Sequence, residues 1–581
     1  MKQRPMPSLS RNFVKLTLLL GCISPVVAHG QDEHGSMTME MADATAAAAS
    51  GTMMAEPASY FQLTEHTGLM FAHILLMTIG WVFVLPISVM LSISRSRYRF
   101  PVQFLFIALN AVGVVLVTIY NASTPDMYPN NAHHKLGWIL TWVVTAQGVM
   151  GVLSAYAGAQ EKREEEFMPV SAAAMEHHRR MQRPQISDMY RFSYDSGHGT
   201  EPTTESLRSE SVSSRGEDEL PEAQPAAEEE DDDIEKHGLM HGSRVDKYLS
   251  NRILALLSSK VLRIFRWLYD VVDRLILILG WAGLVTGTVT YGALFMGPEL
   301  FNGLAHFIKG GVFFWYGILT LGRWAGFFAD IGWAWNVKPS TSNKPSAEFV
   351  ESFLIFFYGS TNAFLEHLTA WGSAWSAQDL EHVSITIMFF GGGLCGMLIE
   401  SSRVRDLLNT VQQVSQHSYH SEGQSALEPP KSYRFSMNPL PALIVLLLGV
   451  MMSSHHQESM VSTMIHKQWG TLLVGAAFAR ALTYVIFYLA PPTSMLPGRP
   501  PSELITAFCL LAGGFVFMLS ARDVVETMEQ YGLDAMFIFT VTMGLITFLM
   551  AWIVVVIAIK GWAVRRENRS RFVSHEGLMS P

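Results

Sequence analysis

The stretch GLMFAHILLMTIGWVFVLPISVML, residues 68–91, runs for 24 residues without a single Asp, Glu, Lys or Arg. An α-helix needs about 20 apolar residues to cross the roughly 30 Å of a bilayer's hydrocarbon. Its basic flank, Arg95, Arg97 and Arg99, follows at once. Its only titratable side chain is His73, about two turns inside the apolar run. An ionisable group at that depth is costly and marks a functional site by default.

Working outward, further apolar blocks fall at 101–121, 133–156, 274–297, 303–325, 348–370, 380–400, 438–455, 466–489, 502–521 and 534–560. With 49% hydrophobic and only 16% charged residues in 581, the chain lacks the charge of a soluble protein. The predicted fold is all-α: a polytopic transmembrane helical bundle of about eleven spans. Residues 61–156 form a three-helix half and 261–570 an eight-helix half. Between them, 157–260 is rich in Glu, Asp, Ser and Pro, including Glu228 to Asp233, and cannot bury a core. It is expected to be a disordered acidic linker, and it accounts for most of the net charge of -9. A solvated spacer and a phosphorylatable regulatory segment are both open for it. The lipid bilayer is the expected partner. Nothing points to nucleic acid.

Sidedness follows from Lys and Arg in the connections. They cluster after the first span, in 157–273, at Arg323, Lys338 and Lys344, at Arg403 and Arg405, and in the tail from Lys560 to Arg571. They are missing from 121–132, 298–303, 371–379 and 455–465. The alternation puts the amino terminus outside and the carboxyl terminus, with its tail 571–581, in the cytoplasm; Arg522 alone runs against it. Residues 1–28 read as a signal peptide, with Lys2, Arg4, Arg11 and Lys15 before a short apolar stretch. Residues 29–60 become a disordered outer tail. The location expected is a membrane of the secretory pathway: plasma membrane, vacuole or another endomembrane. Of the three cysteines, Cys22 falls in the signal and Cys395 and Cys509 in spans, so no disulfide framework is expected.

Eight of the 20 histidines fall in cytoplasmic segments. The other twelve lie in the outer tail, in outer loops or in the outer halves of helices. Interfacial anchoring explains any single one, but explains a whole set on one face less well. His73 and His133, the latter opening the third span, descend from the same side and could meet between two helices. Two neutral imidazoles facing each other can hold haem iron axially.

The residues around them resemble the cytochrome b561 group. Ala72-His73-Ile74-Leu75-Leu76-Met77 with Trp81 and Pro86 looks like that family's first core helix. His133-His134-Lys135-Leu136-Gly137 with Gln147 and Gly151 looks like its third. The family's histidine lies four residues before glycine, which makes His133 the implied ligand and His134 the alternative. Members of that family hold two haems with four histidines, whereas the second and fourth spans here contain none. The resemblance therefore implies one outer-side haem b and puts transmembrane electron transfer in doubt.

In the second half, His306, Glu366, His367, His382, His455, His456 and His466 gather at outer helix ends and turns. His and Glu converging from several helices form a ligand set for copper, iron or zinc. Gly391-Gly392-Gly393 is read as a close helix contact. Arg323 and Arg480 are expected to snorkel or to pair with acids. Together with the first half, these segments resemble the fungal YTP-like family of multi-spanning membrane proteins, which joins a cytochrome b561-like region to a helical domain. His29, His34, Met37, Met39, Met41, Met53 and Met54 add soft ligands in the outer tail.

The expected function is binding of haem b or a transition metal at the outer face, with a redox role open; whether the protein is an enzyme is undecided. The same histidines could instead feed a metal-ion transporter in the eight-helix half, or serve a noncatalytic scaffold. No nucleotide or flavin motif is present.

Overall fold

In the computed structural model, residues 59–166, 259–339, 344–362, 375, 377–408, 435–454, 457 and 459–577 are described. Among them all regular structure is helical. In chain order the helices are α1 (Thr67–Ile93), α2 (Arg99–Ser123), α3 (Ala132–Glu166), α4 (Ser259–Gly292), α5 (Leu300–Ala325) and α6 (Ala347–Asn362). There follow α7 (Ala377–Glu400), α8 (Ser402–Leu408), α9 (Leu440–Ser454), α10 (Met460–Leu489), α11 (Pro501–Leu519), α12 (Arg522–Gln530) and α13 (Ala535–Gly577). The protein is thus an all-α polytopic membrane protein. Nine helices among the described residues are long and apolar enough to span a bilayer. The other two expected spans correspond to α6, whose continuation 363–374 lies outside the described residues, and to the 15-residue α9. The signal peptide, the outer tail up to residue 58, and 167–258 of the linker also lie outside them.

The helices outrun some expected boundaries. α3 continues ten residues past 156 through Glu161-Lys162-Arg163-Glu164-Glu165-Glu166, all good helix formers. α4 begins at Ser259 rather than 274.

The chain divides into two compact units, 1–144 with 274–581, and 145–273. In the second, buried Gln147 donates to Asp273 at 3.0 Å. In the first, α1, α2 and the neighbouring parts of α3 and α4 share a core of Trp81, Leu85, Val89, Phe106, Leu140, Val144 and Ile276. α5, α10 and α13 pack on α11, where 13 of 19 residues are buried, whereas α6, α7 and α9 pack on one another and, through α9, on α10. α5 comes so close to α11 that a Cβ on Gly514 would lie 2.5 Å from the Phe314 nitrogen. Such small-residue contacts replace hydrophobic driving force where lipid is as apolar as leucine. Gly393 plays this part between α7 and α6, facing the Phe356 backbone, whereas Gly391 has nothing within 4 Å.

α1 is not a regular helix throughout. A π-helical turn, Ile79–Val84, precedes Pro86. Proline has no N–H and its ring crowds the carbonyl four residues back, so the helix must adjust there. The carbonyl so affected is that of Val82, and the Trp552 indole of α13 donates to it at 2.9 Å. α13 also closes on the turn after α1, where Ser96 donates to Glu567 at 3.0 Å. Arg522, the exception to the charge pattern, heads the short amphipathic α12 and faces Glu299 at 3.7 Å.

Candidate functional site

His73 is buried in α1 and donates from Nδ1 to the Gly113 carbonyl of α2 at 2.8 Å. His133, the second residue of α3, places Nδ1 3.3 Å from the Thr286 hydroxyl on α4. That hydroxyl spends its own hydrogen on the carbonyls of Ala282 and Gly283, so its oxygen accepts from His133. Both rings are therefore in the Nδ1–H form, with the lone pair on Nε2, one of the two arrangements in which a neutral imidazole can bind a metal. The ring centres lie 6.5 Å apart with planes at 71°. Metal–imidazole bonds of about 2 Å put two rings on opposite sides of one ion with centres about 6 Å apart. Gly287 makes room for the pair: a Cβ there would lie 3.0 Å from the His133 ring.

Local sequence explains the placement. Asn131 caps α3 by accepting from the His134 backbone N–H at 2.8 Å, which starts the helix one residue before His133. His133 then turns inward to the His73 ring, and His134 is exposed.

Both His73 and His133 line an apolar cavity of about 1700 Å³, well above the roughly 300–1,000 Å³ of ordinary small-molecule pockets. Trp81, Phe314, Trp315 and Phe515 contribute to its walls, and Asn131, His134 and Lys135 also line it. Trp81 is held by its indole N–H, which donates to Asn110 at 3.1 Å. Nearby, Tyr60 donates to Asp126 at 3.1 Å, and burial raises its phenol above the usual tyrosine value. The cavity and the two imidazoles are the residues here that could hold a flat, mostly apolar cofactor.

Of the second set, His306 and His466 come together. Their ring centres lie 6.3 Å apart at 89°. His382 stands half-buried on α7. Glu366, His367, His455 and His456 lie outside the described residues, as do His29, His34 and the tail methionines. Among the described residues no three or more His, Cys, Asp or Glu converge as metal ligands.

Sequence reasoning missed the partners of the two buried arginines. Arg323 of α5 meets Glu351 at 2.7 Å and Glu348 at 3.0 Å, both on α6. Arg480 of α10 meets Glu503 of α11 at 2.6 Å and Glu351 at 3.4 Å. All five side chains are at most 8% exposed, so the pairing side of the expectation for Arg323 and Arg480 holds. The signal lay in Glu348 and Glu351, one helical turn apart on a single face, and in Glu503 in the first turn of an apolar helix.

These features define an integral membrane protein built of helices, with paired histidines and a buried charge network. Residues 279–561 match the family described as "Protein YTP1-like, C-terminal", and 54–157 match "Domain of unknown function (DUF2427)". The chain is 35% identical over 512 residues to "Uncharacterized membrane protein C3B8.06" of Schizosaccharomyces pombe, covering 85% of this chain and 94% of that one. It is 43% identical over 304 residues to "Uncharacterized membrane protein YCR061W" of Saccharomyces cerevisiae, 49% and 47% of the two chains. "Protein YTP1" of the same yeast is 24% identical over 216 residues, 37% of each. The chain belongs to the YTP1-like family of fungal membrane proteins. No solved structure matches it.

Proposed function

We propose that this is a membrane haem protein in which His73 and His133 hold one haem b near the outer face, in a region resembling cytochrome b561. The observation that carries the reading is the pair itself: two Nδ1–H imidazoles, 6.5 Å between centres, on the wall of one large apolar cavity. Haem bound there supplies reversible one-electron transfer. Gly113 and Thr286 fix the tautomers and orient the rings. The largely apolar walls lower the local dielectric, which raises the energetic worth of each polar contact inside. α2 and α4 contain no histidine, so a second haem on the four-helix pattern of the cytochrome b561 group has no ligands there. The reading is therefore an outer-face redox or haem-binding role rather than conduction across the bilayer.

A dithionite-reduced visible spectrum of the purified protein tests it. The expected result is the paired bands of a low-spin b-type haem, lost in a His73→Ala/His133→Ala double variant and kept in His134→Ala. Absence of haem bands, or bands that survive the double variant, sinks the assignment.

A further inference from the structure

α1 ends in a Schellman turn with an arginine at its left-handed position. The Ser96 N–H donates to the Leu91 carbonyl at 3.0 Å and the Arg95 N–H to that of Ser92 at 2.9 Å, the paired bonds of that motif. Arg95 sits there with φ of 50°, where a Cβ is crowded and glycine is the usual occupant. Its side chain is exposed, so packing does not account for the choice. A residue held in a costly backbone conformation points to a use for its side chain.

Five more arginines share the position. The turn docks on the far end of α13, where the Ser96 hydroxyl and the Arg97 N–H both donate to Glu567, at 3.0 and 3.2 Å. Trp562, Arg565, Arg566 and Arg569 recur at the spacing of one helix face. Arg566 lies over the Tyr98 ring at 5.2 Å and the Trp562 ring at 5.4 Å, and those two rings are 5.9 Å apart. Arg95, Arg97, Arg565, Arg566 and Arg569 are exposed and Arg99 is half-buried. The fold thus gathers six guanidinium groups from two segments 470 residues apart in sequence. The one acid within 94–100 and 560–569 is Glu567, which the dock already engages.

The depth of the cluster selects its partner. α1 and α13 are both long and apolar enough to span the bilayer, so their ends lie at headgroup level, where Tyr and Trp also gather. A guanidinium matches a phosphate with two parallel N–H donors. A zwitterionic headgroup answers its phosphate with its own cation, whereas an anionic one leaves charge for the arginines. Clusters of about four to eight basic residues beside a span attract anionic lipid in this way.

We infer that Arg95, Arg97, Arg99, Arg565, Arg566 and Arg569 form a platform for the headgroup of an anionic phospholipid, in the leaflet at this end of α1 and α13. It does not depend on the haem assignment.

The test uses full-length, detergent-purified protein and two tail-labelled fluorescent lipids, phosphatidylserine and phosphatidylcholine, read by polarisation. Wild type should bind phosphatidylserine the more tightly, and less so as salt is raised. Arg565→Gln/Arg566→Gln/Arg569→Gln should weaken that binding on the order of 100-fold, at about five-fold per charge. Arg95→Gly separates the charge from the fold: glycine suits the left-handed turn, so thermal stability should hold or rise while phosphatidylserine affinity falls about five-fold. Arg95→Lys keeps the charge and should keep most of the binding. Inorganic phosphate at the concentration of the lipid should not displace it; displacement assigns the arginines to a free anion and overturns the lipid reading. Equal preference for phosphatidylserine in wild type and in the charge variants also overturns the proposal. So does a wild type that holds both lipids equally, which would leave the arginines to another partner such as the chain's own acidic stretch, 228–233.

Discussion

The Trp552 indole N–H donates to the Val82 carbonyl, 470 residues away in sequence, and fills the acceptor that Pro86 leaves without its α-helical donor. A backbone carbonyl inside a membrane has no water to turn to, so helix irregularities persist only where another group satisfies it. The last long helix thus supports the irregular part of the first. Trp552→Phe should lower stability by about 1–3 kcal/mol, the cost of an orphaned buried acceptor. Adding Pro86→Ala, which restores an N–H, should recover much of that loss. A double-mutant cycle of thermal unfolding in detergent measures the coupling; strictly additive effects contradict it.

Thr286 orients His133 without lining up as a ligand itself. Thr286→Val keeps the shape and removes the acceptor for Nδ1–H. On the proposed haem-binding reading, haem affinity should fall about 10- to 100-fold, as for the outer partners of other metal-bound histidines. Haem retention during dilution, read by absorbance, gives the number; unchanged retention argues against the orienting role.

Glu351 joins both arginines of the buried network. Removing one partner of a buried ion pair strands the other, so Glu351→Ala should cost about 3–5 kcal/mol. Glu351→Gln, which keeps hydrogen-bonding atoms, should cost less. Thermal melts of the two variants in the same detergent decide whether the order holds.

The glycine triplet of α7 separates space from sequence. Gly391→Ala meets nothing and should be neutral or stabilising by about 0.5–1 kcal/mol, from helix propensity. Gly393→Ala drives a methyl group into the Phe356 backbone, which cannot step aside. It should separate α6 from α7 and reduce the yield of folded protein, measured by size-exclusion profile. Similar profiles for the two variants refute the packing role.

Tyr60 and Tyr128, outside the spans, are both held above the ordinary tyrosine value near 10, chiefly by burial. Their folded pKa values exceed the unfolded ones, so their contribution is complete below pH about 10 and is lost as pH rises through the folded values. Alkaline unfolding should therefore move to higher pH in a Tyr60→Phe/Tyr128→Phe variant, followed by near-ultraviolet circular dichroism.

The helical fold was legible because transmembrane helices announce themselves as unbroken apolar runs, and His73 and His133 stood out against such runs. His133 rather than His134 faces His73, which is the register the resemblance implied, and the Asn131 cap gives its physical cause. What stayed hidden depends on contacts between distant helices. No local pattern selects His466 as the partner of His306, since that choice is made by how α5 and α10 each pack on α11. The π-helical turn was equally hidden: Pro86 signals a disturbance, but the relief it finds at Trp552 belongs to the tertiary fold. Glu348, Glu351 and Glu503 sit at helix starts, where acids are commonplace.

The buried charge network also governs how the chain can be made. Arg323 is translated 25 residues ahead of Glu348 and 28 ahead of Glu351, and Arg480 precedes Glu503 by 23. On insertion scales a lone arginine costs about 2.5–3.5 kcal/mol at mid-membrane and less towards a helix end, where Arg323 lies in the last turn of α5. At about 5–20 residues per second, each guanidinium emerges roughly one to five seconds before the acid that neutralises it. The network is therefore complete only once α6 and α11 have joined α5 and α10, so these helices are expected to leave the translocation machinery together rather than singly.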